Sequence, residues 1–130
     1  IKHAAGEATV YFPDKISHDE MVKELCSSHL QLLLATPEKH QVYAKIFDYI
    51  ASGRPTLMVE NDKGPLEWIL SFQKNSTIAS SPKEVESYLE SLYYNPENLV
   101  STSREGNKFT RRNQTKRFAE LVLNAIVKND

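Results

Sequence analysis

The chain has 130 residues, of which 40% are hydrophobic and 25% charged, and its formal net charge is −1. These values predict one globular domain, and they argue against nucleic acid as the main partner, because such binding requires a basic excess or stripe. Cys26 is the only cysteine, so no disulfide can form within the chain, as suits a reducing compartment. The longest apolar run, residues 32–35, is too short to cross a membrane.

The first half of the chain alternates β-type and helix-type runs. Residues 8–12 are β-branched and aromatic and stop at Pro13, which predicts a strand. Ser17-His-Asp-Glu20 has the form of a capping box and predicts the start of a helix. Residues 30–35 show continuous rather than alternating apolarity, which is typical of a parallel strand covered on both faces.

The second half continues the alternation. Apolar residues recur at helical spacing over 43–51, and Gly53 and Pro55 predict the end of that helix. Residues 56–59 and 76–79 predict two more strands, with a helix that begins at Pro65 between them. A capping box at 81–84 begins another helix, and 101–110 read as a polar loop. A last helix over about 112–127 places these residues on one face: Phe118, Leu121, Val122, Ala125 and Ile126.

The predicted element order is therefore β-α-β-α-β-α-β-α-α. Strands that alternate with helices predict an α/β fold, in which a parallel sheet with right-handed crossovers carries helices on both faces. Such sheets bind ligands beyond the carboxyl ends of their strands. The loops of interest are therefore residues 13–16, 36–43 and 60–65.

Several common site patterns are missing from the sequence. It contains neither the glycine-rich dinucleotide fingerprint nor the P-loop pattern, and no Ser-His-Asp set is recognisable. We expect no metal site, because the histidines lack the spacing of metal ligands. Those histidines are His3, His18, His29 and His40.

Lys45 and Asp48 lie in the first turns of the predicted 43–51 helix. A helix N-terminus binds anions through its unpaired amides and its dipole, and a lysine there favours a phosphate ligand. A carboxylate such as Asp48 can accept hydrogen bonds from the vicinal hydroxyls of a ribose. The alternatives are a solvated lysine and an ordinary surface ion pair between the two residues.

The segment Lys45-Ile-Phe-Asp-Tyr-Ile-Ala-Ser-Gly-Arg-Pro55 resembles a signature of group 1, family 4-like glycosyltransferases. Weaker similarity runs over residues 8–127, including Gly64-Pro-Leu-Glu-Trp-Ile69. The resemblance implies a Rossmann-like domain over residues 1–130, the C-terminal half of a GT-B fold. It also implies that the half is truncated, since two upstream strands and a basic pair are missing from this chain.

The same resemblance implies roles for individual residues. Asp48 aligns with the acidic residue that binds the ribose. His40 aligns with the catalytic acidic residue that contacts the transferred sugar, and here a histidine replaces it. The backbone amides of Gln41, Val42, Tyr43 and Ala44 are expected to bind the pyrophosphate of the donor together with Lys45. Ile16 is expected to lie near the base.

The implied activity is the transfer of a hexose from a nucleotide-diphosphate sugar to a glycan or lipid, without metal or cofactor. The expected partners are the donor and an N-terminal, acceptor-binding domain of the same protein. No signal peptide is visible and the chain begins at Ile1, so we expect an inactive fragment of a longer cytoplasmic enzyme.

The alternatives are a non-catalytic α/β module with a decayed donor site, and a flavodoxin-like or receiver-like domain. We expect the 8–12 strand to be displaced, completed by another chain or paired with neighbours that the family does not have, because the family places it beyond the missing strands.

A basic cluster begins the last predicted helix. It could bring the protein into peripheral contact with acidic lipid headgroups on the inner face of a membrane, or it could be a solvated helix start. Trp68 and Tyr93 could stack on a ligand, although helical spacing favours packing. The basic cluster consists of Arg111, Arg112, Lys116 and Arg117.

Overall fold

A computed structural model describes residues 9–36, 42–59, 64–100 and 106–127. Short 3-10 helices lie at Pro96–Leu99 and Gly106–Phe109, and the second is called the 106–109 turn below. The other elements are α1 (His18–Ser27), β1 (Gln31–Leu34), α2 (Lys45–Ser52), β2 (Thr56–Val59), α3 (Pro65–Leu70), β3 (Thr77–Ala79), α4 (Pro82–Tyr94) and α5 (Arg111–Val127).

The three strands form one parallel sheet in the order β1-β2-β3. Leu33 pairs with Met58, and Met58 pairs with Ile78, so these three side chains lie on the same face of the sheet. The structure therefore confirms an α/β fold with a parallel sheet, and its architecture is compatible with a Rossmann-like domain.

The helix ends follow the chemistry predicted for them. Ser17 caps α1, since its hydroxyl accepts from the Glu20 amide while the Glu20 carboxylate accepts from the Ser17 amide at 2.8 Å. Gly53 ends α2 in the left-handed region, with φ 69°. The Ser81 hydroxyl caps α4 by accepting from the Glu84 amide. The Glu84 carboxylate, however, accepts from the Ser80 amide at 2.6 Å, so only one half of the predicted 81–84 capping box is present.

The main core lies between one face of the sheet and the helices α2 and α3. Leu33 and Met58 are fully buried there against Ile46 and Ile50 of α2. Three residues of α3 complete the buried cluster: Leu66, Ile69 and Leu70. The two crossover helices therefore cover the same face of the sheet, as right-handed crossovers between strands in sequential order require.

The opposite face is covered only in part. Leu57 of β2 and Ala79 of β3 are buried outside the main cluster, and α4 contacts β3. On β1, however, Leu32 and Leu34 are 53% and 64% exposed. The prediction that residues 30–35 form a strand covered on both faces is therefore wrong for β1, because no described element lies over that face.

Residues 9–12 form no strand, so the prediction of a first strand at 8–12 is wrong for the described part, and Ala8 lies outside it. Tyr11 and Phe12 are exposed. The sheet has three strands instead of four in the described chain. A β-type segment forms a strand only where a neighbour satisfies its backbone groups, and propensity alone does not supply that neighbour.

The C-terminal part departs from expectation in two ways. The described end of the predicted loop 101–110 contains the 106–109 turn, and Phe109 packs against the main core. The last helix is present as α5, but Phe118, Leu121 and Val122 are exposed, while the side chains of Ala125 and Ile126 lie outside the description. Across the described ranges, no helix is long and apolar enough to cross a membrane.

Candidate functional site

The start of α2 is attached to the carboxyl end of β1. The Tyr43 hydroxyl lies 3.0 Å from the Thr36 amide and 2.7 Å from the Thr36 hydroxyl. Thr36 follows β1 by two residues, so these contacts bring the two ends of the 36–43 loop together. Beyond the carboxyl ends of parallel strands is where open α/β sheets bind their ligands.

The first turn of α2 presents backbone donors at this place. The Ile46 amide donates to the Tyr43 carbonyl at 3.0 Å, and the Phe47 amide donates to the Ala44 carbonyl at 3.2 Å. No described residue accepts from the amides of Ala44 or Lys45, and no side chain caps the helix. Unpaired amides at the positive end of a helix dipole are suited to an anion.

Lys45 is exposed, and its ammonium group lies 5.8 Å from the centre of the Tyr43 ring. That distance is at the outer limit of a cation–π contact, which stabilises by about 0.5–1 kcal/mol at an exposed site. Tyr43 therefore orients the loop through its hydroxyl and lies beside the ammonium group through its ring. A cation in the first turn of a helix opposes the helix dipole, and a bound anion would remove that conflict.

Asp48 is exposed and lies at the side of α2 that faces α1. It lines a cavity of about 80 Å³ together with Val22, Leu25 and Cys26 of α1 and with Ala51 and Ser52 of α2. Asp48 and Lys45 form no ion pair with each other in the described structure, so the surface-pair alternative has no support. Burial raises the pKa of the neighbouring Tyr49 hydroxyl, and the Asp48 carboxylate raises it further.

Ile16 comes just before the cap of α1 and is exposed, as is Val42 before α2. The Arg54 guanidinium donates to the Cys26 carbonyl at 2.9 Å, so the C-terminal ends of α1 and α2 are adjacent. The two helices contact each other, but no described contact joins Ile16 to the start of α2.

Five of the predicted residues are near neighbours along the chain at the start of α2, so their proximity follows from the sequence and not from the tertiary fold: Val42, Tyr43, Ala44, Lys45 and Asp48. Ile16 has no described contact to them. His40, the predicted catalytic residue, lies outside the described residues, and so does Gln41.

Two features of this site have no counterpart in the sequence prediction. Tyr43 was assigned a backbone role, whereas the structure gives its side chain the contacts to Thr36. The cavity beside Asp48, which Val22 and Cys26 of α1 help to line, has no prediction at all. Neither feature has a local signal, because each depends on residues from two elements.

Trp68 and Phe109 belong to an aromatic cluster with Phe47 and Phe72. The Trp68 ring lies 5.0 Å from the Phe72 ring and 6.2 Å from the Phe109 ring. Phe109 also lies 5.5 Å from Phe47. Trp68 therefore packs against other rings although it is largely exposed, whereas the Tyr93 ring contacts only Tyr94 among the described aromatic residues.

Among the residues described, no group of three or more His, Cys, Asp and Glu side chains is placed to hold a metal ion. No family model matches the chain, and neither a curated protein nor a solved structure is significantly similar to it.

Proposed function

We propose that this chain is the donor-binding domain of a glycosyltransferase, the truncated C-terminal half of a GT-B fold. The observation that carries the proposal is the pair of amides, of Ala44 and Lys45, that have no acceptor among the described residues and lie beside the carboxyl end of β1. The signature that continues from Lys45 to Pro55 supplies the family. The ligand would be a nucleotide-diphosphate sugar, and the acceptor a glycan or lipid.

The proposed reaction breaks the bond between the anomeric carbon and the diphosphate oxygen. A bond forms from the anomeric carbon to an acceptor hydroxyl, which loses its proton, and the nucleoside diphosphate leaves with the bonding electrons. Charge grows on the diphosphate as that bond breaks. The amides of Ala44 and Lys45 and the Lys45 ammonium group would stabilise this charge without moving, the most effective form of electrostatic catalysis.

Asp48 would hold the ribose of the donor through its carboxylate. The exposed carboxylate is available to two vicinal hydroxyls, and its place one turn after Lys45 sets it on the same helix as the diphosphate site. His40 would contact the transferred sugar as a donor or acceptor of a hydrogen bond. The N-terminal, acceptor-binding domain would be the physical partner of the completed enzyme.

Calorimetric titration with UDP, GDP and their sugars tests the proposal. Ala44→Pro removes one amide, and the φ of −54° at this position suits proline. A hydrogen bond to a charged group stabilises by about 1.5–3 kcal/mol, so affinity should fall roughly 10- to 100-fold. Ala44→Ser keeps the amide and should bind normally.

Asp48→Ala should also weaken binding of the same ligands, while Glu90→Ala, which removes an exposed carboxylate of α4, should not. If no nucleotide or nucleotide sugar binds to a longer chain that restores the upstream strands, the donor-site proposal is wrong.

A non-catalytic α/β module with a decayed donor site is the second candidate. It is favoured by the position of Asp48 beside the cavity between α1 and α2, where the carboxylate has neighbours unrelated to a ligand. A complete enzyme that keeps its activity with Asp48→Ala, or that has none with any donor, would support this alternative.

A further inference from the structure

The helix α5 carries an apolar side that no described residue covers. It packs against the 106–109 turn, and every side chain from Arg111 to Asn124 is exposed. Phe118 is 68% exposed and Leu121 is 61% exposed. Burial of one such side chain stabilises by about 1.5–3 kcal/mol, so this face would gain from a partner.

The apolar and basic residues of α5 are arranged around the helix in a definite order. At 3.6 residues per turn, Phe118, Leu121 and Val122 lie on one face, and Arg111 lies on the same face about two turns before Phe118. Arg112 and Arg117 fall on opposite flanks of that face. The only acidic side chain of the described part of α5 falls on the far side, where Glu120 lies 4.0 Å from Lys116.

The charge of α5 differs in sign from that of the remaining chain. Residues 111–124 contain four basic side chains and one acidic side chain, a net charge of +3. Because the whole chain carries −1, the other residues together carry −4. The apolar face therefore lies between arginines on a basic helix, and the complementary surface is apolar in its centre and anionic around it.

We propose that α5 docks the chain on the surface of an anionic phospholipid bilayer. Phe118, Leu121 and Val122 would enter the boundary between headgroups and acyl chains. Arg112 and Arg117 would extend to lipid phosphates on either side, as long basic side chains do at such interfaces. This inference does not depend on the donor site, since it uses a different element and a different ligand.

Co-sedimentation of the full chain with vesicles tests the proposal. Binding is expected to phosphatidylcholine vesicles that contain phosphatidylglycerol, to be far weaker with phosphatidylcholine alone, and to fall as salt is raised. Each basic residue near an anionic surface contributes about fivefold in affinity, so Arg112→Gln with Arg117→Gln should cost roughly 25-fold. Lys23→Gln with Lys83→Gln removes the same charge from α1 and α4 and should have little effect.

Two leucines of α5 form a matched pair for the apolar contact. Leu121 and Leu123 are 61% and 62% exposed but lie on nearly opposite sides of the helix. Leu121→Ser should reduce vesicle binding at least tenfold, whereas Leu123→Ser should leave it nearly unchanged. Equal losses in both variants would show that general helix stability, and not a lipid-facing side, is responsible.

A fluorescence measurement reports insertion directly. Trp68→Phe removes the only tryptophan, and Phe118→Trp in that background should show a blue shift with anionic vesicles and quenching by bromine-labelled acyl chains. The proposal is overturned if this tryptophan stays in water while the chain is bound. It is also overturned if Leu121→Ser abolishes a dimer in light scattering and the wild-type chain does not bind vesicles, since the face would then belong to a second copy.

Discussion

The apolar faces of α2 and α5 have similar side chains and opposite surroundings. Ile46 and Ile50 of α2 are buried against the sheet, whereas Phe118 and Leu121 of α5 are exposed. The same contrast occurs within β1, where Leu33 is fully buried and its neighbours Leu32 and Leu34 are exposed. An apolar pattern thus indicates which residues are able to pack, but burial depends on whether another element lies opposite.

The exposed side of β1 also has one polar contact at its margin. The Tyr49 hydroxyl donates to the Leu32 carbonyl at 3.3 Å, from a helix that packs on the covered face. The Tyr49 side chain therefore reaches the edge of β1 from the covered face. The side chains of Leu32 and Leu34 remain exposed.

The largest expected effect on the free energy of unfolding distinguishes the buried side of β1 from its exposed side. Leu33→Ala should lower the free energy of unfolding by about 2–5 kcal/mol, because it removes a fully buried side chain and leaves a cavity. Leu34→Ala removes the same atoms from an exposed position and should change it by less than about 0.5 kcal/mol. Denaturant unfolding followed by circular dichroism measures both. Equal losses in the two variants would mean that another surface covers Leu34 in solution.

A smaller loss of stability is expected when the polar contacts of Gln73, which join the ends of α2, β2 and α3, are removed. The buried Gln73 amide group donates to the carbonyls of Tyr49 and Arg54 and accepts from the Thr56 hydroxyl at 2.8 Å. Gln73→Ala leaves these groups unsatisfied and should destabilise the fold by about 1–3 kcal/mol. Gln114→Ala, on the exposed α5, is the control in the same unfolding assay. A loss as small as that of the control would show that water replaces the Gln73 contacts.

The smallest effect on the free energy of unfolding is expected at the cap of α1, and its size should depend on pH. Hydrogen bonds from the Ser17 amide and hydroxyl hold the pKa of the Glu20 carboxyl below its ordinary value of 4.5. Because the folded pKa is the lower one, the carboxylate stabilises the fold above pH 4.5, and this contribution is lost as the pH falls through the folded pKa.

Unfolding of wild type and Glu20→Gln across the acid range measures this contribution. The difference in stability should be present at neutral pH and should disappear in acid, while Glu24→Gln, outside the cap on the same helix, should show no such trend. A difference that is constant over pH would mean that the Glu20 charge has no part in the cap.

Much of the local structure could be predicted because its causes are local. The Ser17 and Glu20 pair, Gly53 at positive φ and Pro65 at the first position of α3 each act on backbone groups within a few residues. The same is true of the unpaired amides at the start of α2, which follow from the geometry of any helix N-terminus. The Tyr43 contact to Thr36 could not be predicted, since it joins two elements across a loop.

The sequence by itself determined where the described α-helices and the three paired strands lie, because periodicity, caps and helix stops depend on neighbours along the chain. It also determined the candidate residues near Lys45 and Asp48 through the signature they belong to. Only the tertiary structure decided that residues 9–12 stay unpaired, that β1 is covered on one side and that the apolar face of α5 is open. The reason is that burial and strand pairing require a second surface, and whether that surface is present is a property of the assembled fold.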